Sequence, residues 1–465
     1  MVTLGGAACL GAIGFERYLA ERPVPPPAPT PPRVAQAATS RFVLVLVDGL
    51  REDFAFDPGL MPTLAEMAAE GASGVSITPP MTLTTISVLT IGTGMTPSVA
   101  WSIKNFDAEP FADENVFSLL QEAGRRIAFL GDAAWTQLFG KSAAHTLAFV
   151  DHGFMEGRSG EVTPTDDAAL KEAERVLADP AYDVVIIHVV AVDKMAHKAG
   201  AARHAPDGAL TPYANACAAV DARIAALWRR FGAGATWLGT SDQGVSRGGT
   251  HGGGEDDARR APFVWSGPAV RAARGLEVPL TSMAPTIAAL FGLRPPRLAE
   301  TPATFEALAL PGTEPVLSAA HVATRERYAA DFLRLAGREL KPFDGGNAAR
   351  LEGLERQISA AEHDRAWLRT LGLVIAATLV LALYRAVARG VGARRSRLAA
   401  VLALVMTAGL LHFGGWQFSV VQRAGEALTS WTNFGIFAAL TAALTLLAFG
   451  VHVQGRRTGW DARDV

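Results

Sequence analysis

Short apolar runs recur along the first two thirds of the 465-residue chain, and several of them stop at or just before an aspartate. These pairs are residues 42–47 with Asp48, residues 184–192 with Asp193, and residues 235–240 with Asp242. Such runs, rich in β-branched residues and bounded by glycine and polar residues, predict buried parallel strands. Because open α/β sheets bind ligands at the carboxyl ends of their strands, we expect the three carboxylates to meet at one edge.

Segments with helical periodicity alternate with these strands. Residues 116–123, 166–178 and 212–231 carry apolar side chains at helical intervals, and residues 126–130 add another short apolar run. This alternation between about residues 41 and 300 predicts an α/β domain with a parallel sheet covered by helices.

Three carboxylates at one sheet edge would repel each other unless a positive charge lay among them, and a metal cluster is the usual solution. Two histidines support this prediction, because His197 follows Asp193 by four residues and His251 follows Asp242 by nine. Carboxylate and imidazole together suit zinc or manganese better than calcium. His188 lies in the middle of a predicted strand, so we expect it to be a buried structural residue.

The C-terminal part of the chain is much more apolar than the rest. Residues 368–384, 398–416 and 434–453 are each close to the roughly 20 residues that span a bilayer, so they predict three transmembrane helices. The loop after the first segment and the tail after the third are rich in arginine, which places both in the cytoplasm. The α/β domain is then expected in the periplasm or an organelle lumen.

This topology divides the chain into six predicted segments. They are a signal sequence or signal anchor at 1–21, a Pro-rich linker at 22–40, the α/β catalytic domain at 41–312, a helical linker at 313–366, the transmembrane helices at 367–455, and a cytoplasmic tail at 456–465. A disordered N-terminus is the alternative for the first segment. The net charge of −2 offers no argument for a nucleic-acid partner.

A threonine-rich turn at residues 79–94 leads into an apolar helical stretch that ends in Thr93-Gly94. A hydroxyl at a helix N-terminus is often only a cap. Beside a cluster of aspartates, however, a threonine held between two metals is an activated nucleophile, and the helix N-terminus favours an anionic phosphoryl group.

These motifs together resemble the alkaline phosphatase superfamily, in particular its nucleotide pyrophosphatase/phosphodiesterase and GPI ethanolamine-phosphate transferase branches. The resemblance covers roughly residues 40–300. Its motifs are Val-Asp-Gly-Leu-Arg at 47–51, the threonine block at 79–94, Gly-Asp-x-x-Trp at 131–135, Asp-x-x-x-His-Lys-x-Gly at 193–200, Ser-Asp-Gln-Gly at 241–244 and Thr-His-Gly-Gly at 250–253.

The resemblance implies two divalent metal ions, zinc with manganese as the alternative. One site would comprise Asp48, Thr84, Asp242 and Gln243, and the other would comprise Asp193, His197 and His251. Thr84 is the implied nucleophile, since it precedes Thr93 by the spacing that the family shows, and Thr85 and Thr82 are the fallbacks. Asn105 corresponds to an asparagine that contacts a phosphoryl oxygen.

One departure from the family pattern concerns the metal beside Thr84. The family has histidine where this chain has Gln243, whose amide oxygen is a poorer zinc ligand than imidazole. Three outcomes stay open: weak binding of the second metal, function with one metal, or an inactive relative.

The sequence therefore predicts a membrane-anchored, metal-dependent phosphodiesterase or phosphoethanolamine-type transferase that forms a phosphothreonine intermediate. Its substrate would be a phosphodiester or a phospholipid-type molecule, and the membrane would be its other partner. The alternative is a catalytically impaired relative that acts as a binding or partner protein, and Gln243 is its main support.

Overall fold

A mixed sheet lies at the centre of the protein. The computed structural model describes residues 31–97, 108–149, 164–343 and 345–362. Within these residues the sheet has eight strands in the order β4-β3-β5-β1-β6-β7-β2-β8. The strands are β1 (Phe42–Val47), β2 (Ala72–Ile77), β3 (Ile127–Asp132), β4 (His145–Phe149), β5 (Val184–Val189), β6 (Thr236–Thr240), β7 (Arg260–Ser266) and β8 (Ala273–Pro279).

The direction of the strands changes at β7. Strands β4, β3, β5, β1 and β6 are parallel, as the sequence predicts, but β7 runs antiparallel to both β6 and β2. The predicted parallel sheet is therefore confirmed for these five strands, whereas the sheet as a whole is mixed. Residues 241–259, which join β6 to β7, contain only the one-turn helix Asp256–Arg259. They lack the long crossover helix that usually returns a chain to a parallel position.

Helices cover both faces of the sheet because β1 points alternate side chains in opposite directions. Phe42, Leu44 and Leu46 enter one core cluster. The intervening valines enter the other. The first face is packed by helices Thr84–Thr93, Val116–Glu122, Ala134–Phe139, Met283–Leu290 and Glu314–Leu335. The second face is packed by helices Glu52–Ala55, Pro62–Glu70, Pro164–Ala178, Ala191–Ala199 and Pro212–Phe231.

Strand β5 is shorter than the apolar run that predicts it. The strand ends at Val189, and helix Ala191–Ala199 begins two residues later. The prediction that the strand continues to residue 192 is thus wrong. The carboxylate of Asp166 accepts hydrogen bonds from the backbone N–H groups of Val190 and Ala191, both at 2.9 Å, and so favours a helix start at this point.

Two helices follow the α/β domain. Helix Glu314–Leu335 and the helical residues 347–362 bury apolar side chains in the first core cluster, among them Phe332, Leu354 and Ile358. Arg325 and Glu355 join the two helices by an ion pair. Among the described residues, no helix combines the length and the apolar character needed to cross a membrane. The predicted signal segment 1–21, the predicted transmembrane helices and the predicted tail lie outside those residues.

Candidate active site

The site is built at the carboxyl end of the two central strands. Asp48 directly follows β1, and Asp242 lies two residues beyond the end of β6. Asp193 and His197 lie one turn apart on helix Ala191–Ala199, so their side chains share a helix face. Asp193 thus belongs to a helix, whereas the sequence predicts it at a strand end.

Gly49 brings the three aspartates together. Its φ of +66° lies in the left-handed region, and a Cβ atom added here would lie 2.8 Å from Oδ1 of Asp193. Its backbone N–H donates to Oδ1 of Asp242 at 3.3 Å. Tyr213 holds the same turn by donating its hydroxyl to the carbonyl of Gly49 at 2.9 Å. Only glycine permits this close approach of the Asp48 turn to Asp193.

Asp193, His197 and His251, which we call the imidazole cluster, converge on one point. One donor atom from each lies within 4.8 Å of the others. The two Nε2 atoms are 3.1 Å apart, and each lies 3.3 Å from an oxygen of Asp193. Nδ1 of His251 donates to the carbonyl of Thr82 at 2.6 Å, so this ring presents Nε2 to the cluster.

The charges of the site explain why a cation fits there. Burial favours the neutral ring of His251, but the adjacent Asp193 carboxylate outweighs burial and raises the pKa of His251 to about 9. Burial would raise the pKa of Asp193, yet the two histidines hold it far below its usual range. Burial and the nearby carboxylates of Asp48 and Asp193 raise the pKa of Asp242 well above its usual value. A proton is thus attracted to this point, and a divalent cation would be attracted in the same way.

Oδ1 of Asp193 supports the same fit. It is buried and lies 3.3 Å from Nε2 of His251, with no well-formed hydrogen bond among the residues that the structure describes. A buried carboxylate oxygen that is incompletely hydrogen-bonded is costly, and a metal ion would satisfy it.

Asp48, Thr84, Asp242 and Gln243, which we call the oxygen cluster, lie beside the imidazole cluster. Thr84 is the first residue of helix Thr84–Thr93 and is partly exposed. Its hydroxyl donates to Oδ2 of Asp48 at 3.3 Å. The fallback nucleophiles Thr82 and Thr85 are fully buried, and the Thr82 hydroxyl accepts the backbone N–H of Gly252 at 2.7 Å. Thr84 is therefore the accessible hydroxyl of the three.

Gln243 connects the two clusters. Its side-chain nitrogen donates to Oδ1 of Asp48 at 3.4 Å and lies 3.3 Å from Nε2 of His251. Gln243 is therefore part of the site, although it stands where the family has a histidine. Asn105 lies outside the described residues.

His188 is the site residue that the sequence did not identify. It is fully buried in β5, as expected, but its Nε2 lies 3.3 Å from Oδ2 of Asp48. Trp135 donates its indole N–H to the other ring nitrogen at 3.0 Å. In the parallel register of β1 and β5, Leu46 pairs with His188, which places this ring two positions before Asp48 on the same face. The sequence of a single strand does not predict how it pairs with its neighbour, so this contact could not be predicted.

Comparison with known proteins agrees with these motifs. Residues 42–249 match the family model for type I phosphodiesterase / nucleotide pyrophosphatase. The chain is 29% identical over 278 residues to GPI ethanolamine phosphate transferase 3, catalytic subunit, of Mus musculus, an alignment that covers 55% of this chain and 24% of that protein. It is 29% identical over 195 residues to GPI ethanolamine phosphate transferase 2, catalytic subunit, of Homo sapiens, covering 39% and 19%.

The chain thus spans about a quarter or less of the length of these relatives. Among solved structures, murine ectonucleotide pyrophosphatase / phosphodiesterase 5 is similar with a TM-score of 0.42 and 12% identity, covering 58% of this chain and all of that one. The resemblance expected from the motifs is confirmed: residues 42–249 are similar to the type I phosphodiesterase / nucleotide pyrophosphatase family, and the aligned relatives are GPI ethanolamine phosphate transferases.

Proposed function

We propose that the protein is a metal-dependent enzyme that cleaves a phosphodiester with Thr84 as the nucleophile. The observation that carries the proposal is the position of this hydroxyl. It lies at a helix N-terminus, 3.3 Å from Asp48, beside a cluster of Asp193, His197 and His251 whose donor atoms lie within 4.8 Å of each other. The family of residues 42–249 supports the same chemistry.

The imidazole cluster would hold one divalent cation, with zinc and manganese as the candidates, and the oxygen cluster would hold a second. When bound, such cations neutralise charge on the phosphoryl oxygens and lower the pKa of an adjacent hydroxyl.

The chain's own residues do the rest. Thr84 Oγ1 attacks phosphorus, the bond from phosphorus to the leaving alcohol breaks, and a phosphothreonine diester forms. The N-terminus of helix Thr84–Thr93 favours the negative charge of the phosphoryl group. Asn105 is proposed, from the family resemblance, to contact a phosphoryl oxygen.

Release of the phosphothreonine distinguishes two activities. With water the enzyme is a phosphodiesterase, and with an acceptor hydroxyl it is a transferase. The names of the aligned relatives, which are GPI ethanolamine phosphate transferases, favour transfer of a phosphoethanolamine-type group. We further propose that the apolar segments within 367–455 span a membrane and hold the domain on its periplasmic or lumenal side, where a phospholipid-type substrate is presented.

The non-catalytic alternative rests on Gln243. It is not favoured, because Gln243 lies in contact with Asp48 and His251 and leaves Thr84 accessible. The two aligned relatives are themselves catalytic subunits by name.

Thr84→Ala and Thr84→Ser in the full-length, detergent-solubilised protein test the proposal. The substrate is bis(p-nitrophenyl) phosphate in the presence of zinc and manganese. We expect turnover to vanish in Thr84→Ala and to survive in part in Thr84→Ser, because serine keeps a hydroxyl. Mass spectrometry of the acid-quenched wild type should find the phosphoryl adduct on Thr84.

Thr146→Ala is the control, since Thr146 is exposed on β4 and distant in sequence from every site residue. It should turn over like the wild type. Full activity in Thr84→Ala would show that Thr84 is not the nucleophile.

A further inference from the structure

The two clusters of the site offer different donor atoms. The imidazole cluster supplies two ring nitrogens and a carboxylate. The oxygen cluster supplies two carboxylates, a hydroxyl and an amide, and therefore only oxygens as metal ligands. Glutamine at position 243 causes this difference.

Two buried oxygens of the oxygen cluster point to a ligand. Oδ2 of Asp242 and Oε1 of Gln243 accept no hydrogen bond from the described residues, and both side chains are 0% exposed. A buried polar atom without a partner is costly, and these two belong to consecutive residues, of which Gln243 contacts Asp48 through its amide nitrogen. A cation would satisfy both oxygens.

The amide of Gln243 can present its oxygen without moving its backbone. Its nitrogen now lies 3.4 Å from Oδ1 of Asp48. A half-turn of the terminal amide exchanges nitrogen and oxygen at that point. The oxygens of Gln243 and Asp48 would then repel each other unless a cation lay between them. Two neighbouring oxygen ligands at about 2.1 Å from an octahedral cation are about 3 Å apart, which is close to the separation of these two side chains.

The charge and hardness of the donors select the cation. Once a bound cation displaces the proton from Asp242, the two carboxylates carry two negative charges, which a divalent ion balances. Oxygen donors suit Mg²⁺ and Mn²⁺, whereas imidazole suits Zn²⁺. Four protein oxygens leave two positions of an octahedron for water or substrate oxygens, which is typical of Mg²⁺ and Mn²⁺ rather than of the larger Ca²⁺.

We propose that the oxygen cluster is a hard-cation site that takes Mn²⁺ or Mg²⁺ in preference to Zn²⁺, so that the protein holds two unlike metal ions. This proposal rests on the proposed function only in sharing its site. Gln243 then sets the metal preference at Thr84 and leaves catalysis intact.

The test measures metal binding directly. The full-length protein in detergent is stripped with a chelator, equilibrated with equimolar Zn²⁺ and Mn²⁺, and desalted. Elemental mass spectrometry gives the bound equivalents, and the electron paramagnetic resonance spectrum reports protein-bound Mn²⁺. We expect about one equivalent of each metal in the wild type.

Substitutions of Gln243 test the selectivity. Gln243→His supplies imidazole, so it should exchange manganese for a second zinc and weaken Mn²⁺ binding by roughly tenfold or more. Gln243→Glu keeps an oxygen donor of the same size and should retain manganese. His197→Ala should lose zinc and keep manganese. Circular dichroism confirms that each variant is folded.

Two equivalents of zinc and none of manganese in the wild type would overturn the proposal, and so would equal Mn²⁺ affinity in the wild type and Gln243→His. Turnover is scored separately. If the wild type binds two zinc ions and Thr84→Ala loses its activity, the proposed function stands and the hard-cation site is rejected. If the wild type binds one zinc and one manganese ion but shows no turnover, the hard-cation site stands and the proposed function is rejected.

Discussion

Trp135 donates its indole N–H to Nδ1 of His188 at 3.0 Å, and Nε2 of the same ring lies 3.3 Å from Oδ2 of Asp48. Indole nitrogen is a donor only, so Nδ1 must be the acceptor and the ring proton lies on Nε2. This proton faces the carboxylate that also accepts the hydroxyl of Thr84. A buried tryptophan thus sets the tautomer of the histidine that orients Asp48.

Trp135→Phe tests this chain of contacts, because it keeps an aromatic ring and removes the donor. The His188 proton is then free to move to Nδ1, and its hydrogen bond to Asp48 is lost. We expect kcat to fall about 10- to 100-fold, as for other substitutions behind a metal ligand, with a smaller change in KM. Trp237→Phe is the control, since the Trp237 N–H is buried without a partner among the described residues. Equal kinetics in the two variants would contradict the prediction.

Gly49→Ala should disrupt the site by two separable effects. The left-handed backbone costs about 1–2 kcal/mol with a side chain, and the new Cβ would lie 2.8 Å from Oδ1 of Asp193. We expect both a lower melting temperature and loss of metal from the imidazole cluster. Gly124→Ala isolates the first effect, because Gly124 has a φ of +79° and no atom within 4 Å of the added Cβ. It should lose stability and keep its metal, and a Gly49→Ala protein with full metal content would refute the clash.

Asp166→Ala should weaken the helix that carries Asp193 and His197. Asp166 is buried and accepts the N–H groups of Val190 and Ala191. Leaving these donors unpaired costs about 1–3 kcal/mol in the free energy of unfolding.

The measurement for Asp166→Ala is chemical denaturation together with zinc affinity, and both should fall. Asp167→Ala is the matched control. Its carboxylate pairs with Lys171 and Arg223 at the surface, where an ion pair contributes at most about 1 kcal/mol. A loss of stability in Asp167→Ala as large as that in Asp166→Ala would rule out the capping role.

His321 should make the protein less stable in mild acid. Burial lowers the pKa of His321 to about 4, although Nε2 lies 3.1 Å from the carbonyl of Ala299. Above about pH 6.5 the ring is neutral in both the folded and the unfolded state. As the pH falls from 6.5 to about 4, the unfolded state binds a proton that the folded state does not, so stability is lost over this window.

His321→Gln keeps a donor for the carbonyl of Ala299 and removes the titration. As the pH falls from 7 to 4, the free energy of unfolding of His321→Gln should rise relative to that of the wild type by on the order of 2–3 kcal/mol. Denaturation at a series of pH values measures this difference. His204→Gln, at an exposed histidine, should follow the wild-type curve. Parallel curves for wild type and His321→Gln would contradict the prediction.

Local patterns were sufficient for the elements whose periodicity is set within one segment. Strand β1 and helix Pro212–Phe231 have the bounds that the apolar pattern predicts. The strand is buried on both faces and is therefore a continuous apolar run, whereas the helix is buried along one stripe and therefore has apolar residues at helical intervals. Strands β2, β4, β7 and β8 were missed. β2 consists largely of small residues, and β8 buries none of its side chains, so neither carries an apolar run.

Motifs along the chain were enough to indicate the family resemblance, the residue types of the site and a departure from the family pattern at Gln243. Tertiary structure decided which of those residues touch. It placed Asp193 on a helix, turned β7 antiparallel, and brought His188 against Asp48 through the register of two strands. Contacts of this kind depend on how distant segments pack, and no spacing within a single segment encodes them.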